Sequence, residues 1–472
     1  MSLIFYDTET TGTETFFDQI LQFAAIKTDE ELNEIDRFEI RCRLLPHVVP
    51  APGAISVNGV KVSQLTDPSY PSHYEMVRAI SAKLLSWSPA LFVGWNSIKF
   101  DEDLVRQALY KTLHNPYLTN SGGNSRSDIM RIVQACSLHA QDALSFPTNE
   151  DGHFVFKLDH IAPANGFRHD RAHDAMGDVE AAIHLCRILT DKAPQVWSSF
   201  MRFSKKASVV DYINDEQIFC LSDFFYGRPY SYIVTTIGQN QVNKAEFYVY
   251  NLSVDPESLL SLSDSELAAR LGEAPKPIRR LKSNAAPMIF PTDDAPQTCK
   301  ALEHGMEELE RRAAVVQADK AFCQRLITAL ESSKTEYPPS PHVEKQIYDG
   351  FIEKPDEKLM AAFHDCDWTK RHAIVERFKD PRLKAIGLRL IHLERPDLLD
   401  KATCREHDLA TARRLLGVGE DVSWTTLPDA LTELEGMLTG STGAELEFLN
   451  GHVQHLRERH DAAVACVNHL QT

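Results

Sequence analysis

Short apolar runs and longer stretches of helical spacing alternate through the first 192 residues. Three apolar runs come first, and the turns between them are short enough for antiparallel pairing. Apolar residues then recur at helical spacing on either side of a fourth run that ends in Gly-Trp-Asn. The predicted strands cover residues 3–6, 20–27, 38–44 and 90–93, and the predicted helices cover 74–87, 104–113, 129–138 and 175–189. This order predicts a mixed α/β sheet with helices packed on it.

The pattern changes twice after this region. Between residues 218 and 291, aromatic and β-branched segments at 230–237, 246–251 and 287–290 lie between Gly, Asn and Pro turns. They predict a small β domain with a helical insertion near 263–271. Tyr-Pro-Pro-Ser-Pro at 337–341 is typical of a linker, and helical spacing dominates after it. We therefore predict three domains, covering residues 1–192, 193–344 and 345–472.

Composition argues against several classes of protein. No apolar run reaches the roughly 18 residues that a membrane span needs. The nine cysteines are scattered, odd in number and never arranged as CxxC, which argues against a disulfide framework and a structural zinc site. The first residues, MSLIFYDTE, lack the basic region of a secretory signal, so we expect a cytoplasmic protein.

The net charge of −17 points, taken alone, away from a nucleic-acid binder, because phosphate binding depends largely on Lys and Arg. Residues 201–300, however, carry only −1 of that charge. A nucleic-acid function would therefore require a local basic groove on an acidic body, and we expect it near this least acidic segment.

Two acids follow the first apolar run in the sequence FYDTETTG. Asp7 and Glu9 are two residues apart, so on a strand their side chains project to the same face. Two ionised carboxylates this close repel each other unless one is protonated or a cation lies between them. Oxygen ligands of this kind favour Mg²⁺ or Mn²⁺ over zinc. A solvated pair of acids in a turn is the alternative for this motif alone.

Two later segments carry similar groups. In GWNSIKFD, Asp101 opens a predicted helix, where it is either part of a site or a helix cap. In AHDAMGD, Asp174 is a suitable N-cap, His173 lies in the preceding loop and Asp178 lies in the first turns. His173 and Asp178 can then approach one point near the helix N-terminus, a position that favours anions such as phosphate. A surface histidine before a helix is the alternative.

Together, DxE, NxxxFD and HxxxxD come in the order that resembles the DEDD superfamily of 3′→5′ exonucleases, in the branch with a histidine in its third motif. The segments GWNSIKFDEDLVRQALYKTLHNPY, NSRSDIMRIV and KLDHIAPANGFRHDRAHDAMGDVEAAI are similar to the bacterial exonuclease I family. SDFFYGRPYSYIV resembles that family's SH3-like middle domain. The resemblance implies a ribonuclease-H-like exonuclease domain, then a small SH3-like β domain and an all-α C-terminal domain.

The resemblance also implies the chemistry. It gives His173 as the general base and two Mg²⁺ ions, with Mn²⁺ as the alternative, held by Asp7, Glu9, Asp101 and Asp178. The expected reaction is hydrolysis of single-stranded DNA from a free 3′ end to 5′-mononucleotides. Single-strand DNA-binding protein is the implied protein partner, and we expect a monomer that binds no membrane.

Further residues are candidates for substrate contact. Thr10, Thr11 and Gly12 would lie against the terminal nucleotide, although Gly12 is equally a turn-forming glycine. Single-stranded DNA needs positive charge and aromatic stacking surfaces, and we expect a groove between the first two domains. The cationic candidates are Arg126, Arg279, Arg280, Lys282, Lys205 and Lys206, and the stacking candidates are Tyr226, Tyr230 and Trp95. For each of them, a solvated surface or a core position is the alternative.

Three functional alternatives stay open from the sequence. The same catalytic residues could act on RNA 3′ ends, since only contacts to the 2′-OH would differ. A catalytically silent nucleic-acid-binding scaffold is a second alternative, against which the intact set of acids and histidine speaks. The helical C-terminal domain is either a protein-docking module or a brace for the DNA groove.

Overall fold

The computed structural model describes residues 1–168, 173–225, 227–332 and 338–470. Its first sheet has the strand order β3-β2-β1-β4-β5, with β1, β2 and β3 antiparallel and β4 and β5 parallel to β1. The strands are β1 (Ser2–Thr10), β2 (Ile20–Thr28), β3 (Glu34–Arg41), β4 (Ala90–Gly94) and β5 (Ser125–Asp128). The predicted mixed sheet is therefore confirmed.

Seven helices accompany this sheet in the described residues up to 192. They are α1 (Pro52–Asn58), α2 (Val62–Thr66), α3 (His73–Trp87), α4 (Asp101–Lys111), α5 (Ile129–His139), α6 (Leu158–Ala164) and α7 (Ala175–Lys192). The alternation along β1 decides which helices cover which face. Leu3 and Phe5 belong to the core with α5 and α7, whereas Ile4 and Tyr6 belong to the core with α3 and α4.

The structure differs from the predicted strands in three respects, of which the first is that β3 begins four residues earlier and ends three residues earlier than the predicted range 38–44. Strand β1 continues past Tyr6 to Thr10, because the ladder with β2 extends through Asp7 and Glu9. Strand β5 was not predicted, since its sequence Ser-Arg-Ser-Asp is polar and short. It forms because β4 offers a parallel edge, with Leu91 opposite Ser125. The acids thus lie within a paired strand and not in a turn after it.

A second sheet follows, with the antiparallel order β10-β6-β7-β8-β9. The elements of this region are α8 (Pro194–Phe203), α9 (Lys206–Asp215), β6 (Phe219–Phe225), β7 (Arg228–Gln239), β8 (Glu246–Asn251), α10 (Glu257–Leu260), α11 (Asp264–Gly272), β9 (Ile278–Lys282), β10 (Met288–Phe290), α12 (Met306–Ala318) and α13 (Lys320–Ser332). The guanidinium of Arg279 on β9 lies 3.8 Å from the ring centre of Tyr232 on β7, so the two side chains meet across β8. A small β domain with helical insertions is confirmed; its SH3-like class stays a prediction.

The last region is helical. It contains α14 (Lys354–Asp365), α15 (Trp368–Val375), α16 (Pro381–Glu394), α17 (Lys401–Leu415), α18 (Leu427–Leu438) and α19 (Gly443–Leu470). Nowhere in the described chain does a helix combine the length and apolar character of a membrane span. The nine cysteines all lie in described positions and are free thiols.

The first two sheets share one apolar core. A single cluster of buried side chains runs from Leu3 and Phe5 through α5, α7 and α8 to Ile233 and Tyr248 of the second sheet. The three domain ranges stay predictions, because this cluster crosses the expected boundary near residue 192.

Gly94 closes β4 at a point where no larger residue fits. A Cβ added there would lie 2.7 Å from the carbonyl oxygen of Tyr6 and 2.7 Å from Cβ of Ser97. The Tyr6 carbonyl belongs to the sheet backbone and has little freedom to move. By contrast, a Cβ on Gly436 in α18 would meet nothing within 4 Å.

We expect Gly94→Ala to lower the free energy of unfolding by about 1–3 kcal/mol, because the methyl group overpacks a rigid strand end. Gly436→Ala is the matched control and should raise it by up to about 1 kcal/mol through helix propensity. Urea denaturation followed by circular dichroism measures both. Equal stability of the Gly94→Ala variant and the unmodified protein would contradict the close approach.

Candidate active site

Strand β1 and helix α7 bring three carboxylates together. Asp7 and Glu9 project from the same face of β1, and Asp178 lies in the first turn of α7, which packs on that face. Ligand oxygens of these three residues all lie within 4.8 Å of one another. Such a spacing allows one cation to contact all three side chains.

Asp101 completes the acidic group from another element. It is the first residue of α4, and the cap position belongs to Phe100, whose side chain forms no capping bond. The alternative that Asp101 is the N-cap of this helix is therefore wrong. Its side chain is 3% exposed, and its Oδ1 accepts a hydrogen bond of 2.6 Å from the hydroxyl of Thr8. Asp101 lies outside the group of three but within electrostatic reach of Asp7.

Burial is the first cause that raises the pKa of all four acids, and the charges of neighbouring acids add to it. Burial, then the charges of Asp101, Asp178 and Glu9, raises the pKa of Asp7 well above its usual range. Burial, then Asp178 and Asp101, raises the pKa of Glu9 to about 9. Burial is also the main reason why the pKa of Asp101 and that of Asp178 rise to about 7. Without a cation, these groups therefore hold protons near neutral pH.

Asp174 anchors the start of α7, as predicted. Its Oδ1 accepts from the backbone amide of Gly177 at 3.3 Å. Its Oδ2 accepts from Gln22 at 3.0 Å and from Arg41 at 2.6 Å, which ties the helix to strands β2 and β3. The N-terminus of α7, and Asp178 with it, is thereby fixed against the sheet.

His173 immediately precedes this cap. It has a positive φ of 61°, which is uncommon for a residue other than glycine, and its side chain is exposed. A hydrogen bond from its backbone lowers the pKa of the Asp178 carboxyl against the larger effect of burial. His173 is thus adjacent to the acidic cluster. Its role as general base stays a prediction.

The segment after Glu9 is tightly bonded within the protein. The Thr10 hydroxyl donates to the carbonyl of Gly12 at 2.7 Å, and the Thr11 hydroxyl donates to Asp18 at 2.7 Å. The Thr11 amide donates to the carbonyl of Gln19, so Thr11 shapes the segment. A Cβ on Gly12 would lie 2.5 Å from Oδ2 of Asp18, so this glycine is required for close packing. Contact of Thr10, Thr11 and Gly12 with a nucleotide stays a prediction.

Arg126 has a structural partner. Its guanidinium donates to Glu102 at 2.9 Å, and the same buried carboxylate accepts hydrogen bonds from Tyr6, Arg106 and Thr119. The side chain of Arg126 is 14% exposed. This cluster holds Arg126 within the exonuclease sheet and leaves little of it for a phosphate.

A cleft lies between the two sheets, where the sequence predicted a groove. Its cavity measures about 480 Å³. One wall comes from the first sheet and its helices, the other from β6 and β9 and the turns next to them. The charged and aromatic side chains that line it are Lys99, Asp128, Arg131, Phe154, Phe156, Asp223, Phe224, Phe225, Arg280 and Lys282. The cleft thus combines cations with aromatic rings.

The other candidates take different positions. Arg279 lies over the ring of Tyr232, and Arg280 forms an ion pair of 3.4 Å with Glu246. Tyr230 is partly exposed and stacks against Tyr232. Trp95 packs against the core, which was the alternative to a role in base stacking. Lys205 and Lys206 are exposed at the N-cap and the first position of α9, and Tyr226 lies outside the described residues.

Several residues of this site were not predicted. Thr8 lies on the opposite face of the strand from Asp7 and Glu9. Its hydrogen bond to Asp101 could be predicted only from the position at which α4 begins. Lys99 and Arg131 line the cleft through the packing of the first sheet against the second. A signal for Lys99 existed in the sequence, since it lies two residues before Asp101.

The donor set fits divalent cations of the Mg²⁺ type. Asp7, Glu9 and Asp178 offer carboxylate oxygens at one point, and Asp101 lies beside it. Hard oxygen ligands without sulfur or imidazole are the set that Mg²⁺ and Mn²⁺ prefer. The raised pKa values describe the same fit, because a cation would replace the protons that the acids otherwise hold.

Comparison with known proteins agrees with this geometry. The family described as "Exonuclease" matches residues 4–186, and "Exonuclease I C-terminal domain" matches residues 341–458. Exodeoxyribonuclease I of Escherichia coli is 25% identical over 85% of this chain and 87% of its own. The enzyme of Buchnera aphidicola subsp. Acyrthosiphon pisum is 27% identical over 82% of this chain and 96% of its own.

Solved structures share the fold over nearly the whole length. Exonuclease I of Methylocaldum szegediense superposes with a TM-score of 0.84 at 23% identity, covering 97% of this chain and 99% of its own. E. coli exonuclease I bound to a dA16 oligonucleotide has a TM-score of 0.83 at 21% identity, with the same coverage. A structure of SSB with exonuclease I has a TM-score of 0.80 at 21% identity and again the same coverage. With both family models matched and the fold shared along the chain, this protein belongs to the exonuclease I family.

Proposed function

We propose that this protein hydrolyses single-stranded DNA from the 3′ end to 5′-mononucleotides, using two Mg²⁺ ions and His173 as general base. The observation that carries the proposal is the meeting of Asp7, Glu9 and Asp178 within 4.8 Å, with Asp101 beside them. Four acids with raised pKa values form a site that a pair of divalent cations would stabilise.

The acids have two tasks in this proposal. Asp7, Glu9 and Asp178 would hold the cations at the point where their oxygens meet, and Asp101 would support them from α4. When bound, two such ions relieve charge on a phosphodiester and favour both the attacking and the leaving oxygen. The Thr8 hydroxyl fixes the orientation of Asp101 through the bond to Oδ1, and the Asp174 cap fixes Asp178.

His173 is proposed to take the proton from the attacking water. His173 lies five residues before Asp178, just ahead of the N-terminus of α7; its side chain is exposed, and its backbone bonds to the Asp178 carboxyl. A helix N-terminus also favours the negative charge of a phosphate. Histidine is the side chain best suited to move a proton near neutral pH.

The strand is proposed to enter through the cleft between the two sheets. Lys99, Arg131 and Lys282 supply positive charge there, and the phenylalanines 154, 224 and 225 supply aromatic surfaces, whereas Phe156 is buried in the core. Backbone charge and base stacking are the two contacts that single-strand binding requires. Binding should fall steeply with salt, because contacts between these cations and the phosphates release counterions. The acidic remainder of the protein would repel the strand elsewhere.

Relatives support the choice of substrate and partner. The E. coli enzyme has been solved with dA16, and exonuclease I has been solved with SSB. We propose single-stranded DNA and single-strand DNA-binding protein for this chain on that basis. The cytoplasmic location and the monomeric state stay predictions.

The proposal is tested by degradation of matched single-stranded DNA and RNA oligonucleotides, labelled at the 5′ end. We expect stepwise shortening of DNA from the 3′ end with Mg²⁺, no shortening with EDTA, and much slower loss of RNA. Preferred loss of RNA would favour the RNA-exonuclease alternative. Binding without any metal-dependent release of mononucleotides would favour the silent scaffold.

His173→Ala should lower turnover by roughly 10²–10⁴-fold, because general-base assistance to the water is lost. DNA affinity measured in EDTA should stay unchanged. His304→Ala, at an exposed position outside the site, is the matched control and should retain full turnover. Near-normal turnover of His173→Ala would remove this residue from the base role.

The raised pKa values predict a pH-dependent stability of the metal-free protein. The native acids bind protons that the unfolded chain has already released, so the free energy of unfolding falls as pH rises. The free energy of unfolding falls from the pH range in which ordinary carboxyl groups titrate up to about pH 9, because the pKa of Glu9 is about 9. For a domain of about 150–250 residues, each kcal/mol of unfolding free energy that is lost lowers Tm by about 2–4 °C.

We therefore expect Tm in EDTA to fall between pH 6 and pH 9, and the fall to be smaller with Mg²⁺. Glu9→Gln removes one of the titrating groups and should flatten the fall in EDTA. Scanning fluorimetry at both pH values measures this. Identical pH slopes with and without Mg²⁺ would contradict a cation site at these acids.

A further inference from the structure

The end of strand β1 is held by two flanking segments of the exonuclease region. On one side, the Thr11 amide donates to the carbonyl of Gln19 at 2.9 Å. On the other, the amide of Ala51 donates to the carbonyl of Thr11 at 2.7 Å, and the Asn58 side chain donates to the carbonyl of Thr10 at 3.0 Å. The path of the chain just after Glu9 therefore depends on where residues 13–19 and 46–60 lie.

The first flank inserts Phe17 into a socket built outside the exonuclease domain. Phe17 is 2% exposed. The ring of Trp424 lies edge-on at 5.1 Å and that of His342 at 5.6 Å. The charged groups of Arg414 and Lys345 lie 5.1 and 5.5 Å from the Phe17 ring centre. We name His342, Lys345, Arg414 and Trp424 the Phe17 socket.

Buried charges fix the socket in place. The carboxylate of Glu344 is 3% exposed and accepts from Arg389 at 2.6 Å and from Arg414 at 2.8 Å. On the exonuclease side, Lys111 donates to the carbonyls of Phe16 and Asp18. Buried charged groups have strict partner requirements, since an unpaired one is costly. The socket and the turn thus meet in one defined arrangement.

The second flank, residues 46–60, is hydrogen-bonded to the last two helices. His452 of α19 donates to the carbonyl of Val60 at 3.0 Å, and Arg459 of the same helix donates to the carbonyl of Pro46 at 2.7 Å. Glu433 of α18 accepts from the amide of Gly53 at 3.0 Å. Both segments that hold the end of β1 are therefore held by the helical domain or the residues leading into it.

We propose that residues 342–459 act as a positioning element for the carboxylate-bearing strand, with Trp424 in that element and Phe17 in the flank that it holds as the central positioning residues. In this role the helical domain contributes to turnover itself, beyond bracing a DNA groove. The inference rests on the proposed function, because it concerns the placement of Asp7 and Glu9 relative to a scissile phosphate. Neither Phe17 nor Trp424 contacts the acids.

The expected size of the effect follows from the sensitivity of catalysis to geometry. A displacement of about 1 Å caused far from the chemistry can cost about 100-fold in rate. An element that only binds the strand would instead change KM and leave kcat intact. Because kcat/KM falls in both cases, kcat and KM have to be measured separately to distinguish positioning from binding.

The test uses the full-length chain with Trp424→Ala, a position that is only partly buried. Trp368→Ala is the matched control, since Trp368 is also partly buried and packs 5.3 Å from Tyr74 of the exonuclease region, against α3. Trp424→Phe keeps a ring in the socket and serves as the conservative variant. A 5′-labelled single-stranded DNA with Mg²⁺ is the substrate.

We expect Trp424→Ala to lower kcat by about 10- to 100-fold with KM within about twofold of the unmodified protein. Trp424→Phe and Trp368→Ala should retain most of kcat. Hydrogen exchange of the metal-free protein gives a second measurement. Peptides covering residues 8–19 should exchange faster in Trp424→Ala than in Trp368→Ala, because the Thr11 amide loses its fixed partner.

Unchanged kcat and unchanged exchange in Trp424→Ala would overturn the proposal. Equal losses in Trp424→Ala and Trp368→Ala would overturn it too, since they would reflect general destabilisation. If the unmodified protein degraded no single-stranded DNA, the proposed function would fail. The exchange measurement would then decide separately whether the socket holds the end of β1.

Discussion

Repulsion among Asp7, Glu9, Asp101 and Asp178 is the constraint around which this end of the molecule is built. Burial removes the water that would otherwise screen the charges, and the pKa of each carboxyl rises as a result. A fold tolerates such a cluster only if surrounding bonds hold the acids together against their tendency to separate. The bonds from Thr8 to Asp101 and from Asp174 to Gln22, Arg41 and Gly177 do this here.

The cleft solves a different electrostatic problem. In the proposed function, a chain with a net charge of −17 admits a polyanion to a cluster of four acids. The structure places Lys99, Arg131, Arg280 and Lys282 on the walls of one cleft between the sheets. The shared apolar core fixes those walls relative to each other, so the positive charge is concentrated along one route.

Strand periodicity was sufficient to predict that Asp7 and Glu9 share a face, and the family resemblance placed Asp178 beside them, as the structure does. Asp7 and Glu9 share a face because they are two residues apart, and Asp174 caps α7 as its residue type suggests. The sequence could not reveal partners that depend on tertiary packing. Arg126 looked like a free cation, but Glu102 lies next to it only after β5 and α4 pack together. Strand β5 was not predicted because its own residues are polar. It is extended because it pairs with the neighbouring strand β4.

The contacts of α19 have a consequence for the order in which the site is completed. His452 and Arg459 bond to residues 392 and 413 positions earlier in the chain. A ribosome adds roughly 5–20 residues per second, so the strand with its acids emerges tens of seconds before those helical partners exist. Until then the loop beside the acids lacks its outer support. A nascent chain would thus carry the nuclease residues without the framework that aligns them, and synthesis itself would delay the onset of DNA cleavage.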